Sequence, residues 1–517
     1  MRGSTGSSVL VFALACVPAA SDTDASTAGT TTGAGDGDTS TGTVTATGTP
    51  TVTGEPAPVC PGGDVMVETQ GQLFALTGCS DIAGSLTIRG PITDLTPLAE
   101  LRRVGGTLSV DTSFEVPLPS LAGLEGLESI GGLFLDGLGV VDLAPLAGLT
   151  EVPGNLWVRE SEQLRSLEGL HNIRTVGDGL EIADCPQLGD LTGLRGLERI
   201  AGDVFLQGLP IVDFHGLEGL VAIEPVEGEP IEVRLTDLPQ LSSAAGLSVE
   251  WDDLHVVELK RVGLTDLAMF AGTEALGGLA LFYNEALADL GGLEALTVIH
   301  GGLTFIDNPA LGDIAALAGL QSVGRLSLHG DVWSLDLSSF ASLTTIGELF
   351  SGNRQMTDLG PFPALTQVGS VSLTYTENLV SLSGLSGLTA LDELRLDGNQ
   401  ALVDLSGLGV LAHVAGDVEI RDNDLLADLS GLAALTAVDG RLAVIGNASL
   451  LQADAEAWAA PIAVGVSRKI GDNKNGPPPQ DPCPWEDDGV CDEVVPGGLN
   501  LCVEYSDGGD CCHSVCR

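Results

Sequence analysis

Gly179-Leu180-Glu181-Ile182, followed by Leu188-Gly189-Asp190-Leu191-Thr192-Gly193-Leu194, returns as Asp417-Val418-Glu419-Ile420, followed by Leu426-Ala427-Asp428-Leu429-Ser430-Gly431-Leu432. Each copy opens with apolar residues alternating over three positions, the period-2 signature of a short strand. A turn and a run of leucines three residues apart follow. The strand phrase begins at Leu86, Leu108, Leu133, Leu156, Leu180, Val204, Ile231, Val257, Leu279, Leu303, Leu326, Leu349, Val371, Leu394, Val418 and Leu442. Sixteen copies at a period of 22 to 27 residues signal a solenoid, in which each turn buries its apolar face only against its neighbours. Stacked turns set the strands side by side in a parallel sheet. The opposite wall is too short and too rich in glycine for long helices, and is expected to consist of turns, 3₁₀ segments or brief helices.

Composition agrees. The chain has 517 residues, of which 44% are hydrophobic but only 4% aromatic, with 70 glycines. Small aliphatics must therefore build the core. Acidic residues number 71 against 21 basic, for a formal net charge of −50, a field that repels phosphate backbones. Nucleic acid is excluded as a partner on that ground.

Outside the repeats the chain changes character. Arg2 precedes the apolar run Val9–Val17, too short to span a bilayer but suited to a signal-peptide core over residues 1–20. Ala13-Leu14-Ala15-Cys16 resembles a bacterial lipoprotein box, with Cys16 as the lipidated residue; cleavage after Pro18-Ala19-Ala20 would instead release a soluble protein. The lipid at Cys16 is the membrane attachment the sequence offers. Residues 21–58 are almost entirely Thr, Ser, Gly, Ala, Asp and Pro, which predicts a disordered tether. Residues 59–475 form the repeat body, with a weaker register over 224–256 where Pro225, Pro230 and Trp251 interrupt the phrase; a kink and a junction between two halves both fit. Residues 476–517 hold Cys483, Cys491, Cys502, Cys511, Cys512 and Cys516, a density that predicts a disulfide-stapled module with 15 formal pairings.

Two polar columns run through the repeats. Asp94, Asp142, Asp190, Asp213, Asp266, Asp289, Asp313, Asp336, Asp358, Asp404 and Asp428 recur at one position. They read as turn side chains accepting backbone N–H bonds, with a calcium ladder as the alternative. Asn284, Asn308, Asn399, Asn423 and Asn447 stand five residues after the first strand residue, where a buried amide can satisfy the backbone of neighbouring turns. Cys185 occupies the same position and reads as a ladder residue.

Cys60 and Cys79, followed by Ser80-Asp81-Ile82-Ala83-Gly84-Ser85-Leu86-Thr87-Ile88, resemble the start of receptor L-domains, leucine-rich β-helical ligand-binding modules. The resemblance covers the repeat body and implies a mainly β, right-handed leucine-rich β-solenoid of about 16 turns. It also implies a Cys60–Cys79 disulfide capping the first turn, and binding by an exposed face in place of catalysis. Asp488-Gly489-Val490-Cys491-Asp492 and Ser506-Asp507-Gly508-Gly509-Asp510-Cys511 resemble the Notch-type repeat, which implies Ca²⁺ on Asp488, Asp492, Asp507 and Asp510. The family's cysteine just after the Asp492 position is missing here, and Cys512 and Cys516 are additional.

For binding, the middle residue of each strand phrase points outward. Phe134, Trp157 and Phe205 are placed in that row, with Arg89, Arg159, Arg234 and Lys260 in the adjacent one. Exposed aromatics beside guanidiniums suit contact with protein or sugar; the competing reading is ordinary packing flat across the sheet. The seven histidines are scattered and no metal or nucleophile motif occurs in the repeats. The expectation is a non-catalytic surface or secreted recognition or adhesion protein binding protein or glycan. A calcium-stiffened spacer is the alternative, and a polysaccharide-acting β-solenoid enzyme the remote one.

Overall fold

The computed structural model describes residues 60–475, apart from 113–115, 227–229, 253–254, 331–336 and 361. The signal segment with Cys16, the tether, and the cysteines and aspartates of residues 476–517 lie outside the described residues.

The repeats build a mainly β solenoid. Twenty strands form one sheet in which every pairing is parallel. The recurring apolar residue is stacked coil on coil: Leu133 pairs with Leu156, Leu156 with Leu180, and Leu180 with Val204. One further strand lies at each end of the sixteen expected, Val65–Val67 against Leu86–Arg89 and Arg468–Gly471 against Leu442–Ile445. The opposite wall carries nine short 3₁₀ segments among the described residues, such as Thr192–Leu194 and Ser430–Leu432. Two four-stranded parallel sheets of two- and three-residue strands adjoin the main sheet, their strands coming just before its own in each coil, as Glu151–Val152 precedes Asn155–Arg159. Between the walls the leucines of every coil join a single apolar cluster running from Val67 to Ile462, the dominant stabilising term in such a fold.

Glycine permits the close stacking on the second wall. Gly169 has φ +116°, and a Cβ there would lie 1.8 Å from the carbonyl oxygen of Leu143 in the preceding coil. Only a residue without a side chain fits that approach.

The aspartate column is a turn device. All ten described members accept the amide of the residue two positions on, at 2.6–3.1 Å; Asp190 accepts Thr192 N–H and Asp404 accepts Ser406 N–H. Each starts the turn that leads into the next leucine. Asp336 lies outside the described residues.

The asparagine column is a ladder. Asn399 N–H donates to Asn423 Oδ1, Asn423 N–H to Asn447 Oδ1, and Asn447 N–H to Asn473 Oδ1, each at 3.1 Å, while the side-chain amides reach back to strand carbonyls of earlier coils. Asn473 extends the column by one coil. Thr376 and Ser161 fill the same position elsewhere, and Cys185 sits there buried, its thiol donating to Ala183 O at 3.4 Å.

One register differs from the sequence reading. Val204 pairs with Val233 and Val233 with Val257, so the coil begins at Val233 and not at Ile231. Residues 231–236 alternate strictly over six positions, and a period of two cannot distinguish registers two residues apart. The ladder runs on through residues 231–262. There Trp251 fills the interior, donating Nε1–H to Met269 O at 2.8 Å and packing edge-on to buried His255.

The first turn is closed by the Cys60–Cys79 disulfide, with Cα atoms 5.4 Å apart. Helix Gln70–Phe74 beside it begins with a reciprocal capping box between Thr69 and Gln72. Helix Gln452–Ala459 packs at the other end.

Candidate functional site

Along the sheet, alternation sends two of every four strand residues into the core and two outward. The central outward row reads Thr87, Ser109, Phe134, Trp157, Glu181, Phe205, Arg234 and Glu258. The adjacent row holds Arg89, Asp111, Asp136, Arg159, Ala183, Gln207, Thr236 and Lys260. Arg234 therefore belongs with Phe205 in the central row, a correction that follows from the two-residue register difference at Val233.

The structure brings Phe134, Trp157 and Arg159 together. The Phe134 and Trp157 rings are stacked, centroids 4.3 Å apart and 9° from parallel, because parallel pairing sets them on adjacent coils in register. Arg159 lies 4.2 Å over the Trp157 ring and reaches Glu181 at 2.5 Å, which holds the guanidinium in place. With Phe134 against one face and Arg159 over the other, Trp157 has little free ring face, and the half-buried pair presents edges outward. Phe205 and Arg234 form a second, looser pair, 5.1 Å from guanidinium to ring, with Arg234 also bound to Glu232. Arg89 stands apart, its Nε and Nη2 both on Glu68 at 3.0 and 2.6 Å.

Beside the stack are two polar atoms with nothing bonded to them. Asp136 Oδ1 and Arg159 Nε are buried and without a hydrogen-bond partner. Burial, and then the charges of Glu160 and Asp111, push the Asp136 carboxyl above its ordinary range. The turns leaving these strands enclose an open cavity of about 500 Å³ lined by Pro117, Glu160, Glu162, Gln163, Asp184 and Pro186. Asp136 and the cavity were missed in the sequence; the spacing two residues after Phe134, which places Asp136 alongside Arg159, is the signal that was there to be used.

Further along the face His329 packs 4.8 Å from Phe350, its pKa lowered by burial. Arg395, Asp397, Glu419 and Arg421 form a charged cluster: Arg395 contacts Asp397 at 3.0 Å and Glu419 at 2.7 Å. Among the described residues no group of three or more His, Cys, Asp or Glu is placed to hold a metal, and no helix is long and apolar enough to cross a membrane.

A leucine-rich repeat solenoid is what these registers build. No family model and no curated protein matches the chain. Among solved structures the chain is similar to an internalin, InlF, of Listeria monocytogenes (16% identity, 73% of this chain and 89% of that one, TM-score 0.28). It is also similar to the functional domain of InlJ from the same species, which includes a cysteine ladder (14%, 73% and 67%, TM-score 0.20). A third is TLR13 in a complex with ssRNA13 (13%, 74% and 83%, TM-score 0.20). At such scores these likenesses carry no weight for this chain's ligand.

Proposed function

We propose that this is a non-catalytic recognition protein that binds a protein ligand on the outward sheet face centred on Phe134, Trp157 and Arg159, with Phe205 and Arg234 extending the contact. The observation that carries the reading is the fixed stack of Phe134, Trp157 and Arg159 beside the unspent polar atoms of Asp136 and Arg159. Aromatic and arginine anchors held rigid, next to donors and acceptors awaiting partners, are the features of a binding hot spot. Edge presentation favours a protein surface over a sugar ring, which would take a free aromatic face. The export signal, the tether and the L-domain-like first turn support display at a cell surface, lipid-anchored through Cys16, with the C-terminal aspartates as a calcium site.

The test is a protein and glycan array probed with the full chain, with and without calcium. A saturable ligand should appear among the proteins, and Trp157→Ala with Phe134→Ala should weaken it at least about 30-fold, as the loss of two hot-spot rings implies. Unchanged affinity in that variant rejects this face. Saturable binding to glycans alone rejects the protein reading, and no saturable binding with or without calcium leaves the spacer.

A further inference from the structure

The turns that leave the main sheet stack coil on coil as the strands do. Glu160 N–H donates to Ala183 O at 3.1 Å, and Asp184 N–H to Gln207 O at 2.9 Å. Glu160 and Asp184 therefore hold one position in successive coils, at φ +50° and +54°. Strand spacing sets their backbones about 4.8 Å apart. Glu162 belongs to the same turn as Glu160, and all three side chains are exposed. Carboxylates at that spacing repel one another.

No cation of the chain offsets them. Among the described residues none of the three forms an ion pair; Asp184 Oδ2 accepts from the neutral amide of Gln207 at 3.3 Å. The arginines of the face are engaged elsewhere, Arg89 with Glu68, Arg159 with Glu181 and Arg234 with Glu232. Around the Phe134–Trp157 stack, the outward strand positions and the turns after them carry Asp111, Asp136, Glu160, Glu162, Glu181 and Asp184 against Arg159, counted among the described residues. The charge this part of the face offers is negative, although guanidiniums stand beside its rings.

Glu160, Glu162 and Asp184 line the cavity of about 500 Å³, and Pro117, Leu138 and Pro186 supply an apolar wall. The volume falls within the range of about 300–1,000 Å³ usual for ligand pockets. Three residues on from Phe134 and from Trp157 the chain enters the cavity wall, at Gly137 and Glu160. Among the described residues no three acidic, His or Cys side chains are placed to hold a metal ion. A wall of carboxylates facing a wall of proline suits a long side chain with a cationic head, its methylenes against the rings and its charge among the acids.

We propose that the protein ligand of this face is a basic one, which sets a lysine or arginine side chain into the cavity among Glu160, Glu162 and Asp184 while a neighbouring apolar residue packs on the edges of Phe134 and Trp157. The inference rests on the face proposed above and adds the chemistry of its partner. A cleft lined by one sign of charge concentrates ligands of the opposite sign and speeds their association.

The experiment selects a phage-displayed library of random peptides on the full-length, disulfide-intact chain and titrates the enriched peptides against variants. Lysine or arginine beside an apolar residue should dominate the enriched positions. The triple variant Glu160→Gln, Glu162→Gln, Asp184→Asn should weaken these peptides at least about 10-fold, as the loss of charge-assisted bonds implies. A triple of exposed acids outside the cavity, Glu100→Gln, Glu285→Gln, Asp424→Asn, removes the same charge and should leave binding within about 2-fold. Equal weakening by both triples, or no enrichment, overturns the inference. Enriched peptides that lack a basic residue but lose binding in Phe134→Ala with Trp157→Ala would keep the face and reject its basic partner. Basic peptides indifferent to that double variant would reject the face itself, and this inference with it.

Discussion

The backbone N–H of Asn423 donates to Oδ1 of Asn447, 3.1 Å away in the next coil, while the Asn423 amide returns to Leu396 O in the coil before. The Asn423 side chain also accepts Asn399 N–H and donates to Arg421 O and Asn447 Oδ1, so it links three successive coils in an interior closed to water. Asn423→Ala leaves the Asn399 N–H and the Leu396 carbonyl without that partner. A loss of about 2–4 kcal/mol is expected, read from urea unfolding; a loss under about 0.5 kcal/mol would show that the ladder is ornamental.

Gly169 tests the coil spacing independently of hydrogen bonding. With φ +116° and 1.8 Å between a built Cβ and Leu143 O, Gly169→Ala must push two coils apart locally. Destabilisation of about 2 kcal/mol or more should follow, with Gly189→Ala, where a Cβ meets nothing within 4 Å, as the mild control in the same thermal melts.

Cys185 should be chemically silent. Burial pushes its thiol up to about 11, and thiolate is the reactive form. At pH 8 the native protein should take up no iodoacetamide at Cys185 over hours, and should do so within minutes once unfolded in urea; mass spectrometry of the peptide separates the two outcomes. Rapid native labelling would contradict the buried ladder position.

Asp422 gives the pH dependence a direction. Desolvation, and next the charge of Asp397, raise its carboxyl to about 6, against Arg421 and with Asp424 and Asp472 adding to the rise. The native state therefore holds a proton that the unfolded chain, near 3.8, releases. This group's contribution to stability is greatest below about pH 4 and is lost as pH rises through 6. Because the side chain keeps contact with solvent, the effect should stay below about 1 kcal/mol. Asp422→Asn should flatten the pH 4–7 stability profile by that amount and raise stability at pH 7. A variant that loses stability at pH 7 would reverse the sign and refute the assignment.

The coil period, the parallel sheet, the aspartate turns and most of the asparagine ladder were legible because each recurs many times, and recurrence averages out local ambiguity. Val233 was not, since Ile231, Val233 and Leu235 satisfy the same alternation and only pairing with Val204 and Val257 separates them. The Phe134–Trp157 stack was half visible: both residues fell in the outward row, but their mutual burial depends on ring orientation, which no spacing encodes. The Arg395–Arg421 cluster was missed because alternating charged residues on an outward row read as solvated, and spacing does not show that they pair with one another.

Each strand of the main sheet hydrogen-bonds only to the coil above and the coil below. The chain can therefore gain or shed whole coils without redesigning its interior. Splicing out the loop between two equivalent leucines would rejoin like with like, so the reach of the protein is set by a copy number and is open to revision one unit at a time.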